Sequence, residues 1–171
     1  MRIILTGPES TGKTMLTMAL ADHFKTAYIP EYAREYVEKL DRKYTYEDVL
    51  NIATHQVNMM EESAKAGQTL IFVDTYLIIT KVWFRRVFRH IPGWIDDEIG
   101  KTRQDLYLLC KPDIPWKADP VRENGGAMRE VLFSEYEKEL MGAHLNYSSV
   151  EGIGDSRIRN ALTKIENFMK I

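Results

Sequence analysis

A parallel α/β domain is the fold class that the sequence predicts, and three observations predict it. Short apolar runs alternate with longer stretches of helical periodicity along the chain. The first run, Arg2–Thr6, leads directly into a glycine-bearing loop, GPESTGKT, and then into an amphipathic pattern. A later run, Thr69–Asp74 (TLIFVD), is apolar up to a terminal carboxylate, as suits a strand covered on both faces.

The elements follow in order. Arg2–Thr6 is the first predicted strand, and Lys13–Phe24 the first helix, with Leu16, Ala19, Leu20 and Phe24 at helical spacing. Thr26–Ile29 is a second strand stopped by Pro30. Tyr46–Ala66 is a long helix with Val49, Ile52, Ala53, Gln56 and Met60 on one face. Thr45 is its expected N-cap, Asp48 stands three residues on, and Gly67 stops it. After the third strand, Tyr76–Phe88 is helical and apolar on most sides. Asp105–Cys110 is a fourth strand, Phe133–Ala143 a helix, Ser148–Glu151 a short fifth strand and Asp155–Met169 a closing helix. Pro92–Gly100 and Lys111–Gly126 lack strong periodicity and are expected to be loops. In a sheet of this kind functional loops gather at the strand C-termini.

The 171 residues fit a single domain, 1–171. A net charge of −2 argues against nucleic-acid binding by bulk charge. The lone Cys110 excludes an internal disulfide and fits a reducing cytoplasm, the expected location. Pro8, Glu9 and Lys13 interrupt the apolar start, so no signal peptide is expected, and no apolar run is long enough to span a bilayer. His23, His55, His90 and His144 are scattered, with no partner at metal-ligand spacing.

Gly7-x-x-x-x-Gly12-Lys13-Thr14 has the spacing of a phosphate-binding loop (P-loop). The glycines let the backbone curl until successive N–H groups face one anion. Lys13 should reach the β- and γ-phosphates of ATP, and the Thr14 hydroxyl should ligate Mg²⁺. The predicted nucleotide contacts here are Gly7, Glu9, Ser10, Thr11, Gly12, Lys13, Thr14 and Met15. Asp74, at a strand end, is the expected acidic support for Mg²⁺; it could also cap the helix that begins near Tyr76. No NKxD-type guanine motif and no second catalytic domain accompany the loop, which points away from switches and motors.

The stretch PEYAREY follows the second strand directly. A helix starting at Pro30 would put Glu31, Arg34 and Glu35 on one face, where a carboxylate beside an arginine could take the proton of a substrate hydroxyl. A solvated helix face explains the same residues equally well. Arg122 and Arg129 flank Gly125-Gly126, which suits a lid over about residues 119–130 closing on the phosphates; a flexible surface loop is the alternative. Of the aromatics Trp83, Phe84, Phe88, Trp94 and Trp116, one or two are expected to stack on a flat ring, with Trp83 and Trp116 the candidates.

Taken together, GPESTGKT, IPEYAREYVEK, LIFVDT, KVWF, DLYLL followed by PDIPW and DPVR, and the late Val150-Glu151-Gly152 resemble the kinase domain of NadR-type proteins. These are P-loop nicotinamide riboside kinases, often grouped with AAA-family ATPases. The resemblance runs from the first strand to the last helix. It implies a nucleoside-kinase-like, three-layer α/β/α P-loop NTPase fold with five parallel strands in the order 2-3-1-4-5. It implies ATP and Mg²⁺, and phosphorylation of the 5′-hydroxyl of nicotinamide riboside. By position, it implies that Lys13 and Thr14 serve the phosphates and metal, that Glu31 and Asp74 lie where acceptor and metal meet with Arg34 beside them, and that Arg122 and Arg129 are lid arginines. Gly152 and Arg157 then belong to the loop beside the adenine. Either Glu31 or Asp74 could be the base; Glu31 is the first choice. Bifunctional members carry an N-terminal nucleotidyltransferase domain with an HxGH-type motif, which this sequence lacks, so a free-standing kinase or an excised fragment is expected. Arg34, Arg85, Arg86 and Arg103 keep a nucleoside monophosphate open as the acceptor. A nucleotide-dependent binding module is the remaining alternative.

Overall fold

The computed structural model describes residues 1–117 and 124–170. Five strands form one parallel sheet: β1 (Arg2–Thr6), β2 (Tyr28–Ile29), β3 (Ile71–Asp74), β4 (Leu106–Cys110) and β5 (Asn146–Val150), in the spatial order β2-β3-β1-β4-β5. This is the predicted class and strand order. Helices α1 (Lys13–His23), α2 (Tyr32–Glu38), α3 (Tyr46–Lys65), α4 (Leu77–Trp83), α5 (Trp94–Gly100), α6 (Met128–Gly142) and α7 (Asp155–Met169) surround it.

Alternation along the strands explains the layering, because successive side chains leave opposite faces of a sheet. Ile3 and Leu5 of β1, Phe72 of β3, and Leu106, Leu108 and Cys110 of β4 pack with Leu16 and Leu20 of α1 and Ala161 and Ile165 of α7. The intervening Ile4, Val73, Tyr107 and Leu109 pack against α3, α4, α5 and α6. Both faces are covered, so the central strands read as unbroken apolar runs.

At the start of α3, Thr45 accepts a hydrogen bond on its hydroxyl from the Asp48 N–H at 3.4 Å, and Asp48 accepts one from the Thr45 N–H at 2.7 Å. This is a capping box in which Asp takes the place of Glu, and the predicted cap is the observed one.

Four expectations need correction. The segment Pro92–Gly100, expected to be a loop, contains α5, whose Ile95 and Ile99 are buried one turn apart. Seven residues are too few to display a helical period in a sequence window. Helix α6 begins at Met128, five residues before the expected start, because its first buried position is Arg129 and an apolar periodicity does not register an arginine. The helix expected over Tyr76–Phe88 changes pitch after Trp83 and finishes as a π-helical turn, Phe84–Phe88. The second strand is two residues, not four. The predicted lid falls partly on residues 118–123, outside the described residues.

Leu108 is fully buried on the middle of β4. Leu108→Ala should lower unfolding stability by about 3 kcal/mol, read from urea denaturation with an unchanged m-value.

Candidate active site

The C-terminal ends of β1, β2 and β3 open onto a cleft of about 1260 Å³. Its floor is the loop between β1 and α1. Gly7 has φ +140°, and a Cβ there would stand 2.6 Å from the Cys110 carbonyl oxygen, so the chain passes β4 with room for glycine only. Ser10 and Gly12 adopt left-handed conformations at φ +56° and +73°. The Thr11 hydroxyl donates to the Pro8 carbonyl at 2.9 Å and closes the curl. Lys13 lies back over this loop, its ammonium donating to the carbonyls of Gly7 and Pro8, each at 2.9 Å. Thr14 and Met15 are exposed in the first turn of α1, whose N-terminus is open to an anion.

The loop is braced from behind. Arg129, buried at the start of α6, donates to the carbonyls of Glu9 at 3.2 Å, Ser10 at 3.0 Å and Ile114 at 2.9 Å. The Glu9 carboxylate accepts from the backbone and side-chain nitrogens of Asn124 at 3.1 and 2.9 Å. Of the two predicted lid arginines, Arg129 therefore holds the P-loop backbone, and Arg122 lies outside the described residues. Trp116 packs on Gly125 and near the Arg129 guanidinium, 6.0 Å from ring centre to Cζ, and does not line the cleft.

Asp74 ends β3 in register with Leu5 of β1. It is wholly buried, and neither carboxylate oxygen has a hydrogen-bond partner among the described residues. Burial pushes its pKa up; Lys13, Thr14 and Thr75 pull it back only in part. Thr75 follows at φ +72°, a conformation that costs a β-branched residue about 1–3 kcal/mol. Its N–H donates to the Leu5 carbonyl at 3.1 Å, so the strained turn is pinned to β1. Two orphaned carboxylate oxygens close to the Thr14 hydroxyl are a donor set that fits Mg²⁺, which takes its remaining ligands from phosphate and water. Among the described residues no group of three or more His, Cys, Asp or Glu side chains could hold a metal unaided.

Glu31 follows β2 and forms the N-cap of α2. Half-buried in the cleft, its carboxyl is raised above the usual range by burial, with Lys13 opposing and Asp74 reinforcing. Glu31, Asp74 and Lys13 are thus brought together, as the sequence anticipated. Arg34 also lines the cleft and pairs with Glu38 at 2.8 Å, whereas Glu35 turns away to Lys39 at 2.5 Å.

Trp83 lines the far wall, its ring edge-on to Tyr44 with centroids 4.8 Å apart at 82°. The segment 40–44, with Ile79, Leu132 and Tyr136, completes that wall. No local pattern in the sequence marks 40–44; it reaches the cleft only because α2 turns back onto α3. Of the other arginines, Arg86 lines the cleft and pairs with Glu135 at 2.6 Å, and Arg85 pairs with Glu139. Arg103 precedes β4, at the opposite edge of the sheet.

Gly152 and Arg157 do not line this cleft. Arg157 is buried and donates to Asp113 at 2.6 Å, to the Gly152 carbonyl at 2.8 Å and to the Lys111 carbonyl at 2.9 Å. Gly152, at φ +96°, donates its N–H to Asp113 at 2.7 Å. The two residues brace the loop after β5.

A family model described as "AAA domain" matches residues 2–157. The chain belongs to this AAA domain family. The Trifunctional NAD biosynthesis/regulator protein NadR of Salmonella typhimurium is 26% identical over 143 residues, 81% of this chain and 35% of that protein. The Escherichia coli protein of the same name matches over the same extent. This AAA domain thus spans about a third of the length of the curated relatives it matches. Among solved structures, a NadR protein in complex with NR superposes with a TM-score of 0.79 at 23% identity, over 99% of this chain and 52% of that one. A deoxyadenosine kinase from M. mycoides superposes with a TM-score of 0.69 at 11% identity over 98% and 100%. At these identities the superpositions establish a nucleoside-kinase-like P-loop fold for the AAA domain.

Asp74 gives a test that needs no substrate. Its folded pKa is raised, so the folded state binds a proton where the unfolded chain is ionised, and stability falls as pH rises through the folded value. Asp74→Asn removes that penalty. The variant should unfold at a higher temperature than the parent at pH values above the folded pKa, with the gap closing as pH falls toward the ordinary value of 3.8. A gap that ignores pH would mean that the carboxylate is not the source of the penalty.

Proposed function

We propose that this protein transfers the terminal phosphoryl group of ATP to the 5′-hydroxyl of a nucleoside, and that the nucleoside is nicotinamide riboside. The observation that carries the reading is Glu31: a carboxylate with raised pKa beside Lys13 and Asp74, in a cleft whose far wall is the aromatic pair Tyr44 and Trp83. The similarity to NadR proteins, one of them solved with NR and one with NAD and AMP-PNP, supports this choice of acceptor and donor.

In this reading the amides of the P-loop and the N-terminus of α1 bind the donor phosphates. Lys13 exchanges its two carbonyl partners for phosphate oxygens. Thr14 and Asp74 would hold Mg²⁺, which when bound neutralises phosphate charge. Tyr44 and Trp83 take the flat base, and Glu31 accepts the proton of the 5′-hydroxyl as its oxygen bonds to phosphorus and the bond to ADP breaks. A carboxylate whose pKa is raised is a stronger base than an ordinary one. A nucleoside monophosphate acceptor would call on Arg34 and Arg86, and each of these is already paired with a carboxylate, Glu38 and Glu135.

The test is ADP formation from Mg-ATP with and without nicotinamide riboside, with the product weighed by mass spectrometry. Riboside-dependent ADP release with one phosphoryl added to the riboside is the expected result. ADP formation indifferent to the riboside would remove this acceptor.

The pH profile tests the base separately. Because burial raises the Glu31 carboxyl, kcat should fall on acidification through a pKa above the ordinary 4.5. Glu31→Gln should lower kcat by about two orders of magnitude and abolish that acid limb. A near-normal rate would move the proton-accepting role to Asp74.

A further inference from the structure

Part of the cleft wall opposite the P-loop, α2 and the segment 40–44, places no residue fully in the hydrophobic core, although Tyr44 packs against its surface. Helix α2 buries no residue, and none of residues 40–44 is buried. Hydrogen bonds from α2 and from the segment after it converge on one carboxylate, Asp48, in the first turn of α3. Asp48 is 3% exposed. Its Oδ1 accepts from the Tyr36 hydroxyl and from Arg42 Nη2, each at 3.0 Å. Its Oδ2 accepts from Arg42 Nη1 at 2.5 Å, the Thr45 N–H at 2.7 Å and the Thr45 hydroxyl at 2.8 Å.

A helix cap requires only the Thr45 part of this set. The other three hydrogen bonds come from α2 and from the segment that follows it. Arg42 spends a further N–H on the Lys43 carbonyl at 3.0 Å, so its guanidinium ties that segment's own backbone to α3. Two residues on is Tyr44, whose ring meets Trp83. A further anchor of α2, Tyr32 stacked on His55 with centroids 3.7 Å apart, lies at its other end. Arg42 and the hydroxyl and backbone of Thr45 hold the Asp48 carboxyl far below the usual carboxylate range, so the grip stays ionised at every working pH.

We propose that Asp48 is a positioning residue for the acceptor: by gripping Tyr36 and Arg42 it places the segment 40–44, with Tyr44 edge-on to Trp83, along the wall that meets the flat base. Asp48 does not itself line the cleft. The inference deepens the kinase reading and rests on it. The donor side, braced by Arg129 and by Asn124 on Glu9, shares none of these contacts, so loosening the grip separates the two substrates.

The experiment is steady-state kinetics on Arg42→Ala, Tyr36→Phe and Asp48→Asn, with KM measured for each substrate. Arg42→Ala leaves the Thr45–Asp48 cap in place, which separates the placement of the wall from helix stability. The acceptor KM should rise roughly tenfold in Arg42→Ala and in Asp48→Asn, less in Tyr36→Phe, with the ATP KM within about twofold of the parent. The Asp48→Asn/Arg42→Ala double variant should be no worse than the more impaired single one, since both remove the same contact. An unchanged acceptor KM in Arg42→Ala, or an equal rise in the KM of ATP, overturns the proposal and leaves Asp48 a helix cap. Absence of riboside turnover in the parent would instead sink the kinase reading, and the positioning role with it.

Discussion

β1 runs parallel to β3 on one side and β4 on the other, and the geometry of the cleft depends on that placement. Parallel pairing sends all three C-termini to one edge, with Leu5 opposite Asp74 and Thr6 opposite Leu109. Gly7 can then pass the Cys110 carbonyl only because it has no side chain. The Leu5 carbonyl takes the Thr75 N–H and holds that residue in a conformation it would not choose alone. Loop, carboxylate and strained turn are fixed by one register, and that register is set by apolar side chains buried on both faces of the sheet.

The polar groups at this edge are arranged at a cost to the fold. Asp74 and Glu31 are desolvated carboxyls with raised pKa values. Lys13 is satisfied by its own loop and lies within electrostatic reach of both. An ionised carboxylate without a partner weakens a folded protein; the two apolar layers carry that cost. Such groups are consistent with a site shaped for phosphate and a cation rather than for stability in isolation.

The two sides of the cleft are built differently. The P-loop is clamped by a buried arginine on α6 and backed by β4. The opposing wall, α2 with residues 40–44, contributes no fully buried side chain; hydrogen bonds to Asp48, the Tyr32–His55 stack and the edge contacts of Tyr44 with Trp83 and Phe88 attach it. Local stability follows buried apolar contact, so the P-loop side is the more rigid member and the opposing wall the more adjustable one. Under the proposed kinase reading that division is useful, because the phosphates must be held in one geometry while the acceptor enters and leaves.

What was legible in the sequence was local. The glycine spacing of the P-loop, the carboxylate closing an apolar run, the Thr45–Asp48 cap and Glu31 at a strand end each follow from a short-range rule of backbone geometry or periodicity, and the structure places each where that rule puts it. The strand order followed from the family resemblance rather than from spacing. Tertiary structure alone decided the partners of the long polar side chains. Arg129 turned to carbonyls some 120 positions away, Arg157 to Asp113, and Trp83 rather than Trp116 to the cleft. It also revealed α5, too short to show a period, and the Leu40–Tyr44 wall, which carries no motif. The physical reason is common to these cases: periodicity records which face of an element is apolar, whereas the partner of a buried arginine or the slot beside an aromatic ring is chosen by whatever chain the sheet brings alongside.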